Sequence, residues 1–184
     1  NVKNYSGLEL SKHGSDYFKK NYNLEIFNEK IEEHSERQVK YDIIIMADVI
    51  EHFSNPFKML ETIEKILRPD GLLIFTTFNM DSLYAKISGK NYHWILPMHL
   101  FYFSNKTLKN ICLENNLKII KIKNDSRVVS FYYLLNKLEL IFPKFKFLFR
   151  YINKIKYLQK ISINVNLFDL NIYFVKKNKS INSA

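Results

Sequence analysis

The chain has 184 residues, with 28 Lys or Arg against 18 Asp or Glu, a net charge of +10. A hydrophobic share of 47% with 15% aromatic residues excludes a disordered chain, and four glycines and four prolines exclude a flexible or low-complexity tract. One cysteine excludes a disulfide framework, so a reducing cytoplasm is the expected compartment, and the length suits one domain, residues 1–184.

In chain order, strands are expected near Tyr5 to Leu10 and Leu24 to Phe27. The helix between them carries Tyr17, Phe18, Lys19 and Lys20 and is expected to be capped by Ser15; another should run from about Asn28 to Arg37. The most informative stretch is YDIIIMADVIEHF, Tyr41 to Phe53. Ile43, Ile44, Ile45 and Met46 form a continuous apolar run, which reads as a central parallel strand, Asp42 to Ala47, with both faces covered. It empties into Asp48, Glu51 and His52, and ligands of open α/β sheets sit beyond such strand ends.

Asn55-Pro56 is a capping residue followed by proline at the first helical position, and Phe57, Leu60, Ile63, Ile66 and Leu67 recur at helical spacing. A turn is expected at Pro69-Asp70-Gly71, before a second apolar strand from Leu72 to Phe78. Strand, helix and strand make one right-handed βαβ unit. Further on come a helix from Lys106 to Glu114, a left-handed stop at Asn115-Asn116, and a strand from Leu117 to Lys123. Cys112 shares the apolar register of Leu108 and Ile111 and reads as a packed thiol. The last strand, Phe168 to Val175 within NLFDLNIYFVKK, alternates more than the middle ones and suits an antiparallel edge.

Between these, residues 131–161 keep helical apolar spacing with a break at Pro143, and Lys137, Lys144, Lys146, Arg150, Lys154, Lys156 and Lys160 face a single acid, Glu139. This basic amphipathic element reads first as an inserted helical lid with solvated lysines. Covering an apolar substrate pocket, or peripheral contact with an anionic membrane, is the other reading. No RNA-binding motif accompanies the charge and the aromatic residues keep helical spacing, so no nucleic-acid partner is expected.

The order of Tyr41-Asp42, Asp48 to His52, Leu67 to Gly71, NMDSL from Asn79 to Leu83 and PMHLFYFS from Pro97 to Ser104 resembles the class I S-adenosylmethionine-dependent methyltransferases, in the branch of ubiquinone-biosynthesis-type and small-molecule enzymes. Upstream, GLELS from Gly7 to Ser11 looks like that family's second strand. The resemblance implies a mostly parallel Rossmann-like sheet of order 3-2-1-4-5-7-6 with an antiparallel C-terminal edge. The family's glycine-rich loop is not found, and only eight residues precede Glu9, so the expectation is a chain lacking the family's first strand and helix; a natural variant without the loop is the alternative.

The same resemblance implies the site. Glu9 matches the acceptor of ribose hydroxyls, Asn28 and Glu29 fall where the family meets the adenine edge, and Asp48 and Val49 flank the cofactor's methionine portion. His99 is the preferred substrate-side residue, with Trp94 and Tyr102 as walls. His52 reads equally as a general base, since a histidine near pKa 6.5 can take a proton from a hydroxyl, or as a helix-entry residue bonded to backbone. No spacing in the loop carrying His93 and His99 suggests a metal. The implied reaction transfers a methyl group from S-adenosylmethionine to a small-molecule acceptor, first a sugar or metabolite oxygen. A non-catalytic binding or scaffold module that has kept the sheet and lost the cofactor loop, or an enzyme acting on a lipid or quinone at a membrane surface, are the alternatives.

Overall fold

The computed structural model describes residues 4–159 and 161–178. The elements are β1 (Ser6–Leu8), α1 (Lys12–Tyr22), β2 (Glu25–Phe27), α2 (Ile31–Ser35), β3 (Tyr41–Ala47), α3 (Pro56–Ile66), β4 (Leu67–Phe78), α4 (Leu83–Ser88), α5 (Asn105–Glu114), β5 (Leu117–Asn124), β6 (Arg127–Ser130), α6 (Phe131–Ile141), α7 (Lys146–Asn153), α8 (Lys156–Gln159), β7 (Ser162–Val165) and β8 (Leu170–Lys177). A 3-10 turn, Ile50–His52, follows β3.

The main sheet has the order β3-β4-β8-β5, and β1-β2 and β6-β7 form two-stranded sheets. β1-β2 and β3-β4 are parallel, while β8 runs antiparallel to both β4 and β5. The expectation of a mostly parallel sheet is met in part: β3, β4 and β5 run the same way, but β8 sits between β4 and β5, so one reversed strand makes two of the three pairings in the main sheet antiparallel. Its antiparallel closing role is as expected.

One face of this sheet carries the core. Met59, Leu60 and Ile63 of α3 and Leu108 and Cys112 of α5 bury their helical stripes against Leu73 and Phe75 of β4 and Tyr173 and Val175 of β8, all fully buried. Phe75 and Tyr173 stack across the β4-β8 register, ring centres 4.8 Å apart. β3 is less enclosed than its apolar run implies. Met46 is in the core and Ile44 packs on it, but Ile43 and Ile45, which point the other way by strand alternation, are 53% and 70% exposed.

Local signals also played out differently in places. The α1 cap is Ser11, whose hydroxyl accepts from the Gly14 amide; Ser15 is buried inside the helix. Asn55 and Pro56 start α3 as their types dictate. The turn at Pro69-Asp70-Gly71 becomes a bulge: Leu67 pairs with Tyr41 and Leu72 with Ile43, so four residues of β4 oppose the single Asp42. Asn116 takes the left-handed conformation, φ 56°. The expected helix from Asn28 shrinks to α2, and the basic segment divides into α6, α7 and α8, flanked by the unanticipated β6-β7 pair. Lys160 lies outside the described residues. Among these, no helix is long and apolar enough to cross a membrane.

Candidate active site

The carboxyl ends of β3 and β4 hold a set of polar side chains fixed by strand alternation. Asp48 follows β3 with φ 53°, a left-handed conformation that aspartate tolerates better than most residues. Thr76 of β4 holds this turn from across the strand pair: its hydroxyl accepts from the Asp48 amide at 2.9 Å and donates to Asp48 Oδ1 at 2.7 Å. Val49, next along, packs against the core. Thr77, one residue on, points to the opposite face and donates to Glu51 Oε2 at 3.0 Å, where the carboxylate is 1% exposed. Among the described residues Glu51 makes no ion pair.

His52 and His99 meet above this carboxylate, with ring centres 4.8 Å apart and planes at 67°. Both are oriented by backbone carbonyls: His52 Nδ1 lies 3.0 Å from Met98 O and His99 Nδ1 2.6 Å from Trp94 O. A carbonyl only accepts, so each Nδ1 carries its proton, and in the neutral ring each Nε2 is left as an acceptor. The segment from Trp94 to Phe101 is also stitched to the 3-10 turn by its backbone, as Leu100 N and Phe101 N donate to Glu51 O at 2.9 and 3.3 Å. His52 is exposed and His99 buried. Glu51, His52 and His99 each offer a ligand atom, and these atoms lie within 4.8 Å of one another, the spacing of a cation site that neither His93 nor His99 suggested from the loop sequence. Phe78, Trp94 and Tyr102 pack around His99 as an aromatic wall, Phe78 and Trp94 nearly parallel at 6.0 Å.

A second polar group stands at the ends of β1 and β2. Asn28 Nδ2 donates to Glu9 O and Leu10 O at 2.7 and 2.8 Å, tying the two strand ends together. The Glu9 carboxylate accepts from the Ser11 amide at 2.7 Å and lies against Gly14, where a Cβ would come within 3.0 Å of Glu9 Cγ. Among the described residues this is its one hydrogen bond, which leaves most of a carboxylate's acceptor capacity open. Asn28 has spent both amide hydrogens on backbone, which makes it a positioning residue. Glu29 points elsewhere. Arg37 binds it through two nitrogens at 2.8 Å and His34 Nδ1 lies 2.7 Å away, and the Arg37 guanidinium, with His34, holds the Glu29 carboxyl down at about 2. His34 in turn reaches the Tyr41 hydroxyl at 2.5 Å, so this chain of bonds joins the β1-β2 unit to β3.

Of the expected residues, then, Glu9 and Asn28 come together, His52 and His99 come together, Asp48 and Val49 share the β3 turn, and Glu29 is clamped by Arg37 and His34. Thr76, Thr77 and the buried role of Glu51 were not anticipated. The adjacent hydroxyls within an apolar strand were the available signal, because a polar residue in a buried strand needs a partner.

An α/β sheet with polar side chains gathered beyond its parallel strand ends marks a ligand-binding open α/β fold, and solved structures share it. The cyclopropane synthase MmaA2 from Mycobacterium tuberculosis superposes with a TM-score of 0.56 at 18% identity, covering 95% of this chain and 70% of that one. A SAM-dependent methyltransferase from Archaeoglobus fulgidus gives 0.58 at 19% identity, over 93% of this chain and 75% of that one. Malonyl-[acyl-carrier protein] O-methyltransferase of Porphyromonas gingivalis is 40% identical over 43 residues, 23% of this chain and 17% of that protein. Residues 1–122 match the model of a methyltransferase domain family, and the chain belongs to that family, within the class I S-adenosylmethionine-dependent methyltransferases.

Proposed function

We propose that the protein transfers a methyl group from S-adenosylmethionine to an oxygen of a small-molecule acceptor. The observation that carries this reading is the His52-His99 pair, whose Nε2 atoms are kept as acceptors by the carbonyls of Met98 and Trp94. Such a pair can take a proton from a hydroxyl as it is methylated. Glu9 holds the ribose, and the Asp48-Val49 turn bounds the methionine portion. Bound there, the cofactor supplies a methyl group already activated for transfer, so the chain's work is alignment and proton removal. His99 accepts the proton inside the aromatic wall of Phe78, Trp94 and Tyr102. The exposed His52 beside it exchanges with water.

The test is His99→Ala and His52→Ala assayed for turnover against a panel of hydroxyl acceptors, with cofactor binding measured separately by calorimetry. Loss of turnover with cofactor affinity intact supports the reading. Turnover unchanged in both variants overturns it.

A further inference from the structure

The cavity beside this site has the character of a tail pocket. It encloses about 880 Å³ between the β4-α5 connection and the lid, and Tyr84, Trp94, Val129, Leu134, Leu138 and Phe142 are among its walls. That volume lies in the range of sites for drug-sized ligands. Its lining is chiefly apolar, with Lys137 as its cation and Asp125 and Asp169 as acids. Asp169 is already engaged, accepting from the buried Tyr92 hydroxyl at 3.0 Å. Trp94 belongs to both places: it walls the cavity, and its carbonyl orients His99. The cavity and the proposed proton acceptor thus meet at Trp94.

The outer side of the same lid is apolar and cationic. Phe147 is 85% exposed, Tyr157 78% and Tyr151 65%, with Phe145, Leu148 and Ile155 also in the open. Among them stand the exposed Lys144 and Lys154. The one acid, Glu139, faces Lys146 at 3.4 Å and Arg150 at 3.0 Å, so the segment's negative charge is spent internally. Phe142 joins the two sides, lining the cavity while remaining 45% exposed. Exposed aromatic rings interleaved with lysines match an anionic bilayer, whose headgroups attract the cations and whose interface takes the rings. A nucleic acid satisfies the charge and can stack on the rings, but it leaves the aliphatic Leu148 and Ile155 in water.

We propose that the acceptor is an amphipathic molecule whose apolar chain occupies this cavity, and that the chain's α6 to α8 lid docks on an anionic membrane surface from which the acceptor is taken. The proposal rests on the methyl-transfer reading for the acceptor's fate, but its binding steps need neither cofactor nor turnover.

The experiment uses the full chain in sedimentation with vesicles of phosphatidylcholine alone and of phosphatidylcholine with phosphatidylglycerol, and in titration with the fluorescent fatty acid 11-(dansylamino)undecanoic acid. Binding to the phosphatidylglycerol vesicles should exceed binding to the neutral ones by about tenfold or more, and should fall at least tenfold in Lys144→Glu/Lys154→Glu and in Phe147→Ser/Tyr151→Ser. The dansyl probe should bind the parent and be lost from Leu134→Trp, which fills the cavity, with Val129→Phe as a milder filling; far-ultraviolet circular dichroism checks that each variant folds. Equal, negligible binding to both vesicles overturns the docking surface, as does a single-stranded RNA oligomer that binds more tightly than the vesicles and is lost with the same lysines. Probe binding unchanged in folded Leu134→Trp and Val129→Phe overturns the tail pocket. Failure of methyl transfer with vesicle and probe binding intact refutes the methyl-transfer reading alone.

Discussion

Thr76 and Thr77 are neighbours in β4 and serve opposite sides of the sheet, one holding Asp48 and the other Glu51. Replacing Thr76 by valine keeps the shape and removes both bonds to the Asp48 turn. The expected loss is about 1–2 kcal/mol of stability, read from urea unfolding, together with weaker cofactor binding. Thr77→Val should leave cofactor affinity alone and lower turnover, because it frees the carboxylate beneath the histidines. An identical phenotype for the two variants would contradict this division.

His99→Ala is expected to lower turnover by about 10²–10⁴-fold, the usual worth of a positioned proton acceptor, with little change in the cofactor's Kd. His52→Ala should cost less, since water can replace an exposed relay. Calorimetry paired with single-turnover assays separates binding from chemistry.

Glu9→Ala should weaken S-adenosylmethionine binding by roughly 1–3 kcal/mol, the scale of charge-assisted hydrogen bonds lost from ribose hydroxyls. Unchanged affinity would remove Glu9 from the cofactor site. Asn28→Ala acts differently: it unties the ends of β1 and β2, so its effect should appear in thermal stability as well as in Kd.

The spacing of Glu51, His52 and His99 gives a prediction with zinc. Zn²⁺ at micromolar concentration takes the Nε2 lone pairs that the reaction is proposed to use, so it should inhibit, with activity restored by chelation and sensitivity lost in His99→Ala. Activation by Zn²⁺ in place of inhibition would assign the cluster to metal-assisted chemistry.

Acid stability should report on Glu29. Its folded-state pKa is depressed from 4.5 to about 2 by Arg37 and His34, so the carboxylate stabilises the fold above the unfolded value and this contribution is lost as pH falls from about 4.5 toward 2. Glu29→Gln should flatten that limb of the urea midpoint against pH. An unaltered limb would mean that other carboxylates dominate acid unfolding.

Much of this architecture was legible in the residues themselves. The apolar runs of β3 and β4, the Asn55-Pro56 start of α3 and the Asn116 stop are local signals, and local physics decided them. The thiol of Cys112 also read correctly: it is fully buried and desolvation pushes it up to about 12. What the residues did not show depends on which side chains meet in space. Ile43 and Ile45 have the composition of covered residues, yet coverage is set by what packs there. The clamp on Glu29 comes from Arg37, eight residues on in a turn of no regular period. Hydroxyl–carboxylate pairs such as Thr77 with Glu51, 26 residues apart, leave no periodic trace.

The division into a β1-β2 unit and a four-stranded sheet, bridged through Glu29, His34 and Tyr41, separates the molecule into parts that can open on different timescales. Amides of β1 and β2 should exchange with deuterated solvent by local opening, while those of β8, paired on both edges, wait for global unfolding. The part carrying Glu9 is then the pliable one and the part carrying the histidines the rigid one.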